Sequence, residues 1–93
     1  MPSRDVTIVN RKGLHARSAA KLAAVAKNYT CKIELNHNAK KADCSSVMAL
    51  MMLAAGIGTE LKVCAEGKDA NMALEAVCKL IEAGFEELDE DTP

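Results

Sequence analysis

The 93-residue sequence predicts an α+β domain in which a four-stranded antiparallel sheet is covered on one face by three helices, in the chain order βαββαβα. Three observations predict it. Residues 31–36 and 61–66 alternate apolar with polar side chains, as half-buried strands do. Two further stretches, one opening at Ala16 and one at Asp69, repeat apolar residues at i, i+3 and i+4, as amphipathic helices do. Between the strand pairs lies a serine-led run that is apolar from Val47 to Ala55.

Each element follows in order. Val6-Thr7-Ile8-Val9 reads as the first strand and is closed by the turn cluster Asn10-Arg11-Lys12-Gly13. The first helix covers Ala16 to Lys27, with Ala19, Leu22, Ala23 and Ala26 on one face. Cys31 to Asn36 is the second strand, Cys31, Ile33 and Leu35 facing the core while Lys32 and Glu34 meet water. His37-Asn38-Ala39-Lys40 turns the chain into a short third strand near Lys41 to Cys44. Ser45 or Ser46 then caps a second helix from Val47 to about Leu53, which Ala54-Ala55-Gly56-Ile57-Gly58 releases. Leu61, Val63 and Ala65 give the fourth strand its inner face, and Gly67-Lys68-Asp69 turns into the third helix with Asp69 as N-cap. Ala73, Leu74, Val77, Leu80 and Ile81 form that helix's stripe, and Phe85 extends it past Gly84. The acidic end, Glu86 to Pro93, is expected to fray.

A chain of this length holds one domain, residues 1–93, with one modest core. Twelve Lys and Arg stand against thirteen Asp and Glu, a formal net charge of −1, so no basic field exists to attract nucleic acid or an anionic membrane. No apolar run reaches the length of a membrane span, and the N-terminus lacks the apolar segment of a signal peptide. The reading is a soluble cytoplasmic protein without membrane insertion. Cys31, Cys44, Cys64 and Cys78 contain no Cys-x-x-Cys pair, so they read as small buried or half-buried hydrophobes rather than as metal ligands or a disulfide framework. No metal and no cofactor is expected.

Chemistry concentrates at Gly13-Leu14-His15-Ala16-Arg17. If the first helix opens at Ala16, His15 is its N-cap, where backbone N–H groups lack intrahelical partners and the helix dipole is positive. Such an end suits a phosphoryl group. Arg17 adds a planar fork of donors matched to phosphoryl oxygens, and Gly13 lets the chain turn sharply. An imidazole is largely neutral, hence nucleophilic, near neutral pH. The other histidine, His37, sits in turn chemistry and reads as a solvated loop residue. The second helix is apolar on every side, more than one buried face can use, and its methionines suit a surface that repacks against different partners. Burial at the centre of the core is the alternative.

Gly13-Leu14-His15-Ala16-Arg17, Ser46-Val47-Met48-Ala49-Leu50-Met51 and Gly67-x-Asp69 followed by Ala73-Leu74 resemble, in order and spacing, the HPr family of histidine-containing phosphocarriers of the bacterial phosphoenolpyruvate-dependent phosphotransferase system. The resemblance spans essentially the whole chain. The version of the serine-led helix and the ending Leu80-Ile81-Glu82-Ala83-Gly84-Phe85 are more similar to the nitrogen-related branch than to the sugar branch.

The resemblance implies the HPr-like open-faced sandwich and a carrier rather than an enzyme. It implies that His15 takes a phosphoryl group on Nδ1 from enzyme I and passes it to an enzyme IIA, with Arg17 holding phosphoryl oxygens. It makes Ser46 a regulatory phosphorylation site for an HPr kinase/phosphorylase, and the protein a monomer. Partners are expected to dock on Leu14, Ala20, Val47, Met48, Met51 and Met52, with Leu14, Met48 and Met51 forming an exposed patch. A regulatory binding module of the same fold, controlled at Ser46 alone, is the alternative; the presence of both His15 and Arg17 favours the carrier. The sequence departs from the family at Ser18, where most members have proline. Serine is expected to leave that turn looser, its hydroxyl bonding a phosphoryl group or the backbone.

Overall fold

The structure, a computed structural model, describes residues 2–86. The order is β1 Ser3–Thr7, α1 Ala16–Ala26, β2 Cys31–His37, β3 Lys40–Asp43, α2 Val47–Met52, β4 Glu60–Gly67 and α3 Ala70–Glu82, closed by a 3-10 turn, Gly84–Glu86. The predicted order is therefore observed. The four strands form one antiparallel sheet in the spatial order β1-β4-β2-β3, so β4, last in sequence, lies between the first two.

Alternation decides which face is covered. Ile33, Leu35, Ala42, Leu61, Val63 and Ala65 are buried, whereas their neighbours Lys32, Lys41, Lys62 and Glu66 are not. α3 packs across β1, β2 and β4, α2 lies against β3, and α1 bridges α2 and α3. α3 buries Ala73, Leu74, Val77 and Ile81 as predicted, with Cys78 beside them and Leu80 half-buried. Phe85 is the largest wholly buried side chain. It reaches the core because the backbone turns left-handed at Gly84, Phe85 and Glu86, and the Lys21 ammonium donates to the Phe85 carbonyl at 2.8 Å.

Several boundaries differ from the sequence reading. β1 lies earlier than Val6–Val9, because pairing with β4, from Ser3 opposite Cys64 to Thr7 opposite Glu60, recruits polar residues whose side chains carry no strand pattern. Ile8 continues that ladder through bonds to Thr59 and Gly58. Asp69 stands at the N-cap of α3 but makes no side-chain cap; its carboxylate accepts the Thr30 amide at 3.2 Å and ties the α1–β2 connection to the start of α3. Of the predicted acidic tail, Glu86 belongs to the 3-10 turn, and residues 87–93 lie outside the described residues. Cys44 and Cys78 are buried, Cys31 and Cys64 half-buried, as expected of small hydrophobes.

Candidate phosphoryl-acceptor site

Gly13 carries φ +64°, a conformation that favours glycine, and a Cβ there would run into the Ala55 carbonyl and stand 2.7 Å from Gly56 Cα. The turn can therefore lie flat on the segment that leaves α2. The Leu14 amide donates to the Ala55 carbonyl at 2.9 Å, and the Asn10 side-chain amide donates to the Gly13 carbonyl at 3.0 Å. Asn10, which the sequence places in the turn cluster, is wholly buried, with its amide on Gly13. Nothing in the local pattern marks this, because the contact exists only once the turn has closed.

This platform delivers His15 to the N-cap of α1 in extended geometry, φ −126° and ψ −175°. The Arg17 amide donates to His15 Nδ1 at 3.3 Å. An amide can only donate, so Nδ1 presents its lone pair toward the helix N-terminus and, in the neutral ring, the proton resides on Nε2. Nδ1 thus faces the first-turn amides and the positive end of an eleven-residue helix. Arg17 is exposed at the second helical position. The pair predicted to act together thus shares one helix start.

Ser18 departs from the expected looseness. It is wholly buried; its hydroxyl donates to the Gly13 carbonyl at 2.8 Å, with a longer 3.3 Å approach to the His15 carbonyl, and accepts the His15 amide at 2.9 Å. The hydroxyl is committed to the backbone and tightens the turn.

α2 begins beyond Ser46, whose hydroxyl accepts the Ala49 amide at 3.1 Å. That settles which serine caps. Ser45 instead donates through its amide and hydroxyl to Asp43, at 2.8 and 2.7 Å, and these bonds hold the Asp43 carboxyl below its usual range. Within α2 only Leu50 is buried, Val47 and Ala49 are half-buried, and Met48, Met51 and Met52 are 74%, 41% and 74% exposed. Ala20 is exposed on α1. Leu14, expected in the exposed patch, is instead buried, because the Gly13 turn folds its side chain inward beneath the loop that Ala55 closes. Ile57, in the segment that leaves α2, is a further exposed apolar residue. Among the described residues no group of three or more His, Cys, Asp or Glu gathers that could hold a metal ion, and no helix is long and apolar enough to cross a membrane.

The family model described as "PTS HPr component phosphorylation site" matches residues 2–83. The chain is 46% identical to phosphocarrier protein HPr of Pseudomonas aeruginosa over 94% of this chain and 98% of that protein. It is 44% identical to phosphocarrier protein NPr of Shewanella violacea, over 90% and 92%. The two names stand at nearly equal identity, so these relatives do not separate the branches. A crystal structure of HPr from Thermoanaerobacter tengcongensis matches with a TM-score of 0.89 at 36% identity, covering 94% of this chain and 98% of that one.

Proposed function

This chain belongs to the HPr family of phosphocarrier proteins of the phosphotransferase system, and from that premise we propose that it accepts a phosphoryl group on His15 Nδ1 from enzyme I and passes it to an enzyme IIA. The observation that carries the reading is the Arg17 amide on Nδ1, which leaves that nitrogen's lone pair free of a proton and aimed at the helix N-terminus. In the transfer the lone pair forms the N–P bond as the donor's bond to phosphorus breaks and its electron pair returns to the donor. Nε2 keeps its proton through the step. First-turn amides and the Arg17 guanidinium then neutralise charge on the phosphoryl oxygens, and such transfers are governed by position and charge. The carrier supplies the nucleophile and half of the cradle, and its partners supply the rest.

Ala20, Val47, Met48, Met51 and Met52 are the proposed docking residues, since partly exposed apolar side chains on two packed helices offer one surface for successive partners. Leu14 contributes by holding the loop from within. Ser46 is the proposed regulatory site, a substrate for an HPr kinase/phosphorylase: its hydroxyl already faces the first-turn amides of α2, which a phosphate would also engage. The protein is read as a cytoplasmic monomer.

Incubation with enzyme I and radiolabelled phosphoenolpyruvate tests the proposal. One acid-labile phosphoryl group is expected per chain, absent from a folded His15→Ala variant. Label retained in that variant, or found on His37, overturns the assignment.

A further inference from the structure

Ser18 holds a position that the phosphocarrier reading does not need to fill with a hydroxyl. A buried hydroxyl costs stability unless its bonds are made, and here they are made to a specific pair of groups. It donates to the carbonyl of Gly13, where the chain turns, and accepts from the amide of His15, the residue that the turn presents. The Gly13 carbonyl also takes the Asn10 amide, so both of its lone pairs are engaged. From the other side, the amide of Ala19 donates to the His15 carbonyl at 2.8 Å. The His15 backbone is therefore gripped at its N–H by Ser18 and at its C=O by the helix.

We propose that Ser18 is a positioning residue for His15, its hydroxyl latching the turn so that Nδ1 stays over the first-turn amides in a single tautomer. The inference rests on the proposed acceptor role of His15. Without the hydroxyl the His15 amide loses its partner, and the residue can rotate away from the geometry in which Arg17 N–H meets Nδ1. The Nε2-protonated ring is then no longer enforced, and the lone pair leaves its place over the donors. A misplacement of about 1 Å can slow a reaction by about two orders of magnitude.

Two kinds of measurement test it on the full chain. The first uses phosphoramidate, a small phosphodonor that requires no partner: its P–N bond breaks, ammonia leaves and Nδ1 takes the phosphoryl group. Ser18→Ala is expected to be labelled on His15 about tenfold more slowly than the parent, and Ser18→Thr, which keeps the hydroxyl, to recover most of that rate. The second is nitrogen-15 NMR of the His15 ring and amide. The parent is expected to show an unprotonated Nδ1 and a slowly exchanging His15 amide, and Ser18→Ala a mixture of tautomers with fast exchange. If enzyme I fails to label the parent while phosphoramidate succeeds, the carrier reading falls and the latch is still tested. Equal phosphoramidate rates with one tautomer in both proteins overturn the latch. Should Ser18→Ala not fold, a parent His15 ring protonated on Nδ1, or a freely exchanging His15 amide, overturns it as well.

Discussion

Arg17 separates charge from scaffold. It is exposed at the start of α1 and fills no part of the core, so its loss is expected to act on the transfer rather than on folding. Arg17→Ala is expected to slow single-turnover phosphorylation by enzyme I about 10- to 1,000-fold, as removal of a transition-state donor does, with the melting temperature nearly unchanged. An unchanged rate would sink its assigned role. Cys44 behaves oppositely, as a core residue that happens to titrate. Burial, reinforced by the charges of Asp43 and Glu34 and by Cys78, pushes its thiol from 9.0 up to about 12. In the unfolded chain the thiol ionises above about pH 9, while the native one keeps its proton. Stability from this residue is therefore intact below that pH and falls between pH 9 and 12, by up to about 1.4 kcal/mol per pH unit. Urea midpoints measured at pH 8 and pH 10.5 are expected to fall less for Cys44→Ala than for the parent, relative to their own values at pH 8. His15 and Arg17 were legible from sequence because a helix start advertises itself through its neighbours. Asn10 and Ser18 were not, since their partners are backbone atoms of a turn that side-chain patterns do not describe.

Among the elements, α2 carries three large exposed apolar side chains, Met48, Met51 and Met52. Its amides open onto Ser46, and its exposed methionines follow within two turns. A negative charge at Ser46 is favourable to the helix dipole but sits at the rim of an apolar surface that a partner must bury, where desolvating it is costly. Ser46→Asp is accordingly expected to melt at the same temperature as the parent or higher, and to be phosphorylated by enzyme I more slowly. If it melts much earlier or accepts phosphate at the parental rate, Ser46 is a helix cap only. The apolar surplus on α2 was readable in the sequence, and the fold resolves it mostly outward, with Leu50 alone buried within the helix. The strands were legible where one face was buried, in β2 and β4. β1 was misplaced because an edge strand with polar residues is defined by the partner's backbone; Asp69 does stand at the N-cap of α3, but its carboxylate takes the Thr30 amide instead of capping the first turn.

For the whole molecule, layer order and sheet direction were accessible from the sequence. The inward turn of Leu14 was not, for it depends on Gly13 seating against Ala55 and Gly56. α1 packs against both α2 and α3, while α3 covers most of the sheet. Chemical-shift mapping with enzyme I, and separately with an enzyme IIA, is expected to mark the start of α1 and the exposed side of α2 both times; a footprint on α3 would contradict the docking surface. The remaining feature is Phe85. It is wholly buried although it follows the last helix, and its carbonyl is held by Lys21 from α1. The interior is thus plugged by Phe85 just beyond α3. A stop codon at Phe85 withdraws the largest side chain of the interior, at a cost comparable to the 3–5 kcal/mol of a Phe→Ala core substitution, roughly half the stability of a small domain. Such a product is expected to lose its sharp thermal transition and to fall to proteases that spare the full chain.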